Sequence, residues 1–590
     1  MALLKYSDQI GEWLRDAGYT HYFYVGGGNI MHLTESLSRY LTGVPVVHEV
    51  AAGIATEYFN EIAAPAKALA LVTAGPGLTN IVTAIAGAWL ESRELLVIGG
   101  QVKTSDLANG EVRSRGIQEI DGVSLVRSNT KEAYRFMKPI PAEEFLDKIA
   151  QSWTPRKGPV FLEIPLDVQA ASREQEPLPA PEPPALPVIS ERDLQHVARL
   201  YNEAKQPILL IGGGVSYGQM QRLRAAILAK RVPSMTTYNG ADRLDGDDPI
   251  YLGRPNTWGQ RSSNIIIQES DLIIAVGTRL GMQQTGFNWQ EFGRNATIVH
   301  VEIDEGELNK EHPRTDFPFR VDADDFITRF LGCDLARKDE WLAHAQHIRT
   351  GIPRVEDVNH TGEGYLSPYD FIVRLEKLTH SDDLIIPCSS GSAFTLSMQL
   401  YKQKHGQRMI TDKSLASMGY GLSGAIGAAI AAPNRRTILI EGDGGFAQNM
   451  QELGTVAINK CRLKMFIFHD QGHASIRMTQ QNYFNGKYLG CDAPSGLGLP
   501  EWSKLFPAWD IPVIDLPLDF EDDPDVLELL ESDGPAAFIV PIDPKQTYFP
   551  KISSRITESG SMESNPIDRM TPDLPQELFD RLLQRQPVGR

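Results

Sequence analysis

Short apolar runs alternate with longer amphipathic stretches along most of the 590-residue chain. The runs include ALALVTAGPG, ELLVIGGQ, PILLIGGG, DLIIAVGTR, TIVHVEID, TILIEGDGG, LKMFIFHD and AAFIVPID, each closed by Gly or Asp. Runs apolar on both faces predict central strands of parallel sheets covered by helices. The same grammar recurs over 1–172, 188–335 and 360–545, followed by a tail, 546–590, rich in Ser and Pro. It predicts an α/β chain of three doubly wound α/β domains with mainly parallel sheets. Ligands of such sheets bind at the carboxyl ends of strands, where most of the Gly and Asp punctuation falls. Residues 173–187, REQEPLPAPEPPALP, hold six prolines and predict an extended linker. A weaker boundary lies near 333–366.

Composition narrows the function classes. Apolar residues make up 42% of the chain, enough for sizeable cores. The formal net charge is −18, with no Lys/Arg run, which argues against nucleic acid and anionic membranes as partners. Cys333, Cys388, Cys461 and Cys491 are few and widely spaced, so neither a disulfide framework nor a zinc site is expected. The N-terminus MALLKYSDQIGEWLRDAG reads as an amphipathic helix rather than a signal peptide, and no run is long enough to span a bilayer. The expectation is a cytoplasmic protein with small-molecule substrates.

The candidate chemistry centres on TILIEGDGGFAQNMQELGTVAINKCRLKMFIFHDQGHA, which reads as strand, turn, helix, strand, turn. Gly442, Gly444 and Gly445 let backbone approach a diphosphate, and Asp443 offers a hard oxygen ligand for Mg²⁺. A helix beginning near Phe446 is expected to point its N-terminal amides at the phosphates. Asp470 follows 27 positions later at the next strand end, and Gly472 can add a backbone carbonyl to the metal.

GDG followed by 24 residues and a two-residue pair resembles the thiamin diphosphate (ThDP) enzymes, in which the pair is usually Asn-Asn; here it is His469-Asp470. In that family a glutamate beside the pyrimidine ring activates the cofactor. Glu49 in VPVVHEVAAGIATEYF matches it, although a first-turn glutamate also complements a helix dipole. TAGPGLTNIVTAIAGAWLESRELLVIGGQV (73–102) is similar to the acetolactate synthase branch. The resemblance gives Gln118 as an active-site glutamine, Thr73 as a cofactor contact, and Met418 as the apolar wedge that bends the cofactor. The three domains are then pyrimidine-binding, central FAD-type and diphosphate-binding. Active sites assembled between subunits imply a homodimer or homotetramer. By the same resemblance Arg156, Gly212, Gly213, Gly214, Arg279, Glu302 and Asp322 contact FAD, which is largely structural in that branch.

The acceptor side departs from the acetolactate synthases. Their arginine four positions beyond the one matching Arg279 is Gln283 here, and their acceptor-selecting tryptophan is Thr479. A neutral glutamine cannot make a bidentate pair with a carboxylate. The tail PKISSRITESGSMESNPIDRM is similar to tails of the yersiniose-type carboligases. Tyr548, Phe549, Ile552 and Ile556 suggest that it docks as a cover over the active site. The expected function is therefore a carboligase that decarboxylates pyruvate and transfers the acetyl unit to a ketone. A nucleotide-linked keto-deoxysugar is the preferred acceptor, and the product a branched tertiary alcohol. The alternatives are an acetolactate synthase, an oxidase using a redox-active flavin, or a non-catalytic homologue.

Overall fold

The computed structural model describes residues 3–180, 185–556 and 562–584, with backbone alone for Arg555, Ile556 and Met562. The Ile556 side chain thus lies outside the described residues. Two compact units form. The first holds Met1–Pro184, Asp383–Phe394 and Ile410–Pro541, and the second holds Ala185–Asp382, Thr395–Met409 and Ile542–Arg590.

The first unit carries two parallel sheets. Its N-terminal sheet comprises β1 (Tyr19–Tyr24), β2 (Thr42–Pro45), β3 (Lys67–Val72), β4 (Leu95–Gln101), β5 (Glu132–Arg135) and β6 (Pro159–Pro165), in the order β2-β1-β3-β4-β6-β5. The second unit holds β7 (Pro207–Ile211), β8 (Ser234–Thr236), β9 (Leu272–Val276), β10 (Thr297–Glu302) and β11 (Phe317–Arg320), in the order β8-β7-β9-β10-β11. The C-terminal sheet of the first unit includes β12 (Leu384–Pro387), β13 (Thr437–Gly442), β14 (Leu463–His469), β15 (Val513–Asp515) and β16 (Ala536–Pro541). Pairing there runs β12-β13-β14-β16-β15. All three sheets are parallel, so the chain has the expected α/β architecture. Strands β3, β4, β9, β13 and β14 are buried on both faces along nearly their whole length, as their unbroken apolar runs require.

Small residues bring the two halves of the first unit together. Helices α1 (Glu49–Ala63), α2 (Pro76–Glu91) and α3 (Tyr420–Ala431) share one apolar cluster. A Cβ at Gly427 would lie 2.1 Å from the Ala55 carbonyl oxygen, so only glycine permits α3 to cross α1 this closely. Within the same packing, Arg93 ion-pairs with Glu57 at 2.6 Å and the Tyr420 hydroxyl donates to Glu57 at 3.0 Å. Removing one partner of such a buried pair costs about 3–5 kcal/mol, so the pair fixes how α1 and α3 mate.

The start of the linker is pinned. Ser172–Glu174 pairs antiparallel with Leu3–Lys5, and the Trp13 indole donates to the Glu176 carbonyl. The tail docks on the second unit. Arg294 ion-pairs with Asp568, Arg261 donates to the carbonyls of Met570 and Pro572, and Phe549 N donates to the Tyr369 hydroxyl. Tyr548 and Ile552 are buried there.

Candidate active site

Glu49 opens α1 at the carboxyl edge of the N-terminal sheet. His48 caps the helix by accepting from Val50 N, and the Glu49 carboxylate is buried and accepts from Asn80 Nδ2 at 2.9 Å. Glu452, from the segment following the Asp443 turn, accepts from His48 N at 2.9 Å and Val47 N at 3.2 Å. The approach to Glu49 is therefore held by the C-terminal half of the same unit. Neither Asn80 nor Glu452 carries a local sequence signal, because both contacts are long-range.

Thr73 follows β3 and is buried, and its hydroxyl oxygen has no hydrogen-bond partner among the described residues. It packs so closely on Gly27 that a Cβ there would meet its side chain at 2.4 Å. Gln118 is exposed, with its backbone at φ +64, and its carbonyl closes onto Gly75, itself at φ +64. Thus Thr73, Gly75 and Gln118 converge at one strand end, and an orphaned buried hydroxyl there fits a polar ligand group.

The second half of the site lies at the ends of β13 and β14. Asp443 is fully buried. Its carboxylate accepts from Gly444 N at 2.7 Å and lies 3.2 Å from His469 Nδ1. Asp470 is 3% exposed, and burial together with the neighbouring Asp443 pushes its carboxyl well above the usual range. Arg477, in the first turn of the helix Ala474–Phe484, donates to the Asp470 carbonyl at 2.7 Å and to its Oδ1 at 3.2 Å. Arg477 partly balances the acid that replaces the family's usual amide. Two buried, mutually repelling carboxylates form a hard-oxygen donor set suited to a divalent cation. Gly472 sits at φ +151, and a Cβ there would lie 2.0 Å from the Cys491 carbonyl oxygen, so glycine is obligatory.

One expectation needs correcting. No continuous helix begins near Phe446. Asp443–Phe446 is a single turn, Met450–Glu452 is a 3₁₀ turn, and the helix proper is Leu453–Ile458. Asn449 breaks the run: its Nδ2 donates to the Gly419 carbonyl at 2.8 Å, and its backbone leaves the helical region at φ −131. That bond also holds the turn after Met418, which is partly exposed.

In the central sheet, Gly212 to Gly214 follow β7, Arg279 follows β9, Glu302 ends β10 and Asp322 follows β11. All lie at the same carboxyl edge. The fold itself explains much of their chemistry. A Cβ at Gly212 would meet the Gly277 carbonyl oxygen at 2.2 Å, and Gly214 N donates to that oxygen at 2.8 Å. Asp322 caps the helix Ala323–Gly332 by accepting from Asp325 N, and Glu302 accepts from Ile303 N. Gly213 and Gly214 remain exposed, leaving the edge open to a ligand. Arg156 belongs to the first unit, where its Nε donates to Ser92 Oγ.

Beneath this edge, His300 lies 2.7 Å from the Thr278 carbonyl through Nε2, and burial lowers its pKa to about 4. The unfolded chain therefore takes up a proton near pH 6.5 that the native state refuses until pH 4. Stability is lost as pH falls through that window, by about 2 kcal/mol between pH 7 and 5. Urea denaturation at those two pH values should show His300→Gln losing less stability than the parent by that amount.

Comparison with known proteins agrees with this geometry. The descriptions "thiamine pyrophosphate enzyme, N-terminal TPP binding domain", "central domain" and "C-terminal TPP binding domain" match residues 4–125, 194–330 and 389–540. The large subunit of acetolactate synthase isozyme 1 from Escherichia coli (strain K12) is 30% identical, covering 90% of this chain and 92% of its own length. This chain is a thiamine-pyrophosphate enzyme of the acetolactate synthase-like family. The E. coli isozyme 2 large subunit is 28% identical over 93% of this chain and 98% of its own. A probable acetolactate synthase large subunit from Methanocaldococcus jannaschii is 29% identical over 82% and 83%. Among the described residues, no helix is long and apolar enough to cross a membrane.

Gln283 and Thr479 are both exposed. Gln283 lies in the turn Met282–Thr285, and its carbonyl accepts from Thr257 N at 2.8 Å. The Thr479 hydroxyl donates to the Ser475 carbonyl at 2.9 Å, one helical turn back. Neither position offers a cation to an acceptor carboxylate.

Proposed function

We propose that this protein decarboxylates pyruvate and transfers the resulting acetyl unit to a ketone, acting as a homodimer or larger homo-oligomer in the cytoplasm. The observation that carries this reading is the buried Asp443–Asp470 pair at adjoining strand ends, with Glu49 at the edge of the other sheet of the same unit. Domains 1–172, 188–335 and 360–545 would serve as pyrimidine-binding, FAD-type and diphosphate-binding parts.

Asp443, Asp470 and the Gly472 carbonyl would hold Mg²⁺, and Gly442, Gly444 and Gly445 would admit the diphosphate. When bound, thiamin diphosphate supplies the electron sink that decarboxylation of a 2-keto acid needs. Glu49 would offer its buried carboxyl group to the pyrimidine as a hydrogen-bond partner. Thr73 offers its unpartnered hydroxyl, Met418 presents an apolar side chain, and Gln118 orients substrate. Flavin, with a structural role, would sit at the carboxyl edge of the central sheet against Gly212 to Gly214, Arg279, Glu302 and Asp322.

Two acceptors are in contention. The relatives are named acetolactate synthases, which supports pyruvate as the first reading. Gln283 and Thr479 support the second, a larger ketone without a carboxylate at that point, such as a nucleotide-linked keto-deoxysugar. The docked tail adjoins this position: Ile552 N donates to the Thr257 carbonyl, and Thr257 N donates to the Gln283 carbonyl. The tail thereby flanks the segment that carries Gln283. Purified protein with ThDP, Mg²⁺ and pyruvate, with and without a keto-deoxysugar nucleotide, separates the readings by product analysis. Rapid acetolactate as sole product in both reactions supports the first. A branched sugar formed at least about tenfold faster than acetolactate supports the second. Hydrogen peroxide as main product would remove both.

A further inference from the structure

A cavity of about 590 Å³ opens within the second unit, apart from the central sheet's carboxyl edge. Six cations line it: Arg231, Arg254, Arg261, Arg349, Arg354 and Lys402. Only three lining residues are acidic, on a chain whose net charge is −18. Four of the cations have carboxylate partners, namely Asp339, Glu356, Glu376 and Asp247. Among the described residues, Arg254 and Arg349 have none.

Arg254 is 1% exposed. Its Nε donates to the Met398 carbonyl at 2.7 Å, and its Nη2 donates to the Tyr401 carbonyl. Arg349 donates to the carbonyls of Tyr251 and Gly246 at 2.7 and 2.6 Å and lies over the Tyr251 ring. Among the described residues no carboxylate hydrogen-bonds either guanidinium. Burial lowers the Arg349 pKa against the opposing effects of Tyr251 and Asp247, and the like charges of Arg254 and Arg354 lower it further. Carbonyl partners anchor these side chains without a hydrogen-bonded carboxylate, and burial penalises such positive charge unless an anion adds to the distant balance from Asp247. A single carboxylate brings one negative charge. A phosphate ester brings nearly two and accepts from several guanidinium donors at once. The volume is in the range of organic ligands rather than a lone inorganic anion, and Leu342, Ile352 and Pro353 give part of the wall an apolar face.

We propose that this cavity is a second ligand site, distinct from the ThDP and flavin positions, that binds a small organic diphosphate of nucleoside-diphosphate size through Arg254 and Arg349. It depends on no choice of acceptor.

The test is isothermal titration of the full chain, saturated with ThDP, Mg²⁺ and FAD, using ADP as probe and adenosine as control. Saturation blocks the other phosphate-binding positions. ADP is expected to bind and adenosine to give no heat. Lys402→Glu reverses a charge on the wall and should weaken ADP at least about tenfold, with pyruvate turnover unchanged. Ala343→Trp fills the cavity from an exposed lining position without altering charge and should weaken ADP by a similar factor. Absence of ADP binding at millimolar concentration would overturn the proposal. So would equal binding of adenosine, or unchanged ADP affinity in either variant.

Discussion

Glu49→Gln is expected to lower pyruvate turnover by about 10²–10⁴-fold while leaving the fold intact. The substitution keeps the shape of the side chain and an oxygen that can accept from Asn80 Nδ2. It removes a carboxyl group at the mouth of α1, where the neighbouring Glu452 carboxylate is already engaged by Val47 N and His48 N. The two roles open to this residue differ sharply in magnitude. As a first-turn carboxylate it contributes about 0.3–1 kcal/mol to stability through the helix dipole. As the activating acid it governs the rate. A variant with a nearly unchanged unfolding midpoint and unchanged cofactor binding, but a kcat lowered by orders of magnitude, has lost the second role. Turnover equal to the parent would remove Glu49 from the chemistry and revive the non-catalytic reading. Because His48 and Val47 are tied to Glu452, perturbing Glu452 should misplace Glu49 without removing it. Its loss would be smaller than that of Glu49→Gln.

The pattern of apolar runs located the strands because a strand buried on both faces leaves an unbroken apolar signature. All eight quoted runs form strands of the three sheets. Edge strands left no such trace. Thr42–Pro45, Glu132–Arg135 and Phe317–Arg320 are partly exposed, so polar residues interrupt them and they read as loops. The break in the helix after Asp443 is not legible in the sequence for a different reason. Phe446 to Ile458 has helical composition, but a side-chain bond from Asn449 to Gly419, thirty positions earlier, competes with the helix. The paired carboxylates themselves were legible, since the spacing of Asp443 and Asp470 fixes adjacent strand ends. Their supports were not. Asn80 and Glu452 reach their partners through tertiary packing, and Arg477 was hidden in a helix that reads as ordinary surface. The glycines after β7 invited a flavin reading, yet close packing of Gly212 and Gly214 on Gly277 already requires them. Those glycines therefore add little to the case for flavin. The openness of the edge and the position of Arg279 weigh more.

The metal site yields a graded expectation, because its two acids are not equivalent. Asp443→Asn should abolish turnover, by about 10² or more, and divalent-cation binding with it. The fully buried Asp443 carboxylate holds the turn through Gly444 N, and in the proposed site it would also offer an oxygen to the ion. Asp470→Asn restores the amide that the family usually carries there, so it should retain turnover. Its Mg²⁺ affinity should fall about tenfold, since one anionic ligand is lost from the set. The same substitution should raise the thermal midpoint of the metal-free protein, because it ends the repulsion between two buried carboxylates only partly balanced by Arg477. With Mg²⁺ and ThDP bound, that gain should disappear. Calorimetric titration of Mg²⁺ into each variant, alongside thermal unfolding with and without the ion, reads both effects independently of turnover. Equal metal affinity in the parent, Asp443→Asn and Asp470→Asn would place the ion elsewhere. A metal-free Asp470→Asn no more stable than the parent would mean that Arg477 already balances the second acid, and that His469-Asp470 substitutes for the usual amide pair at no cost to folding.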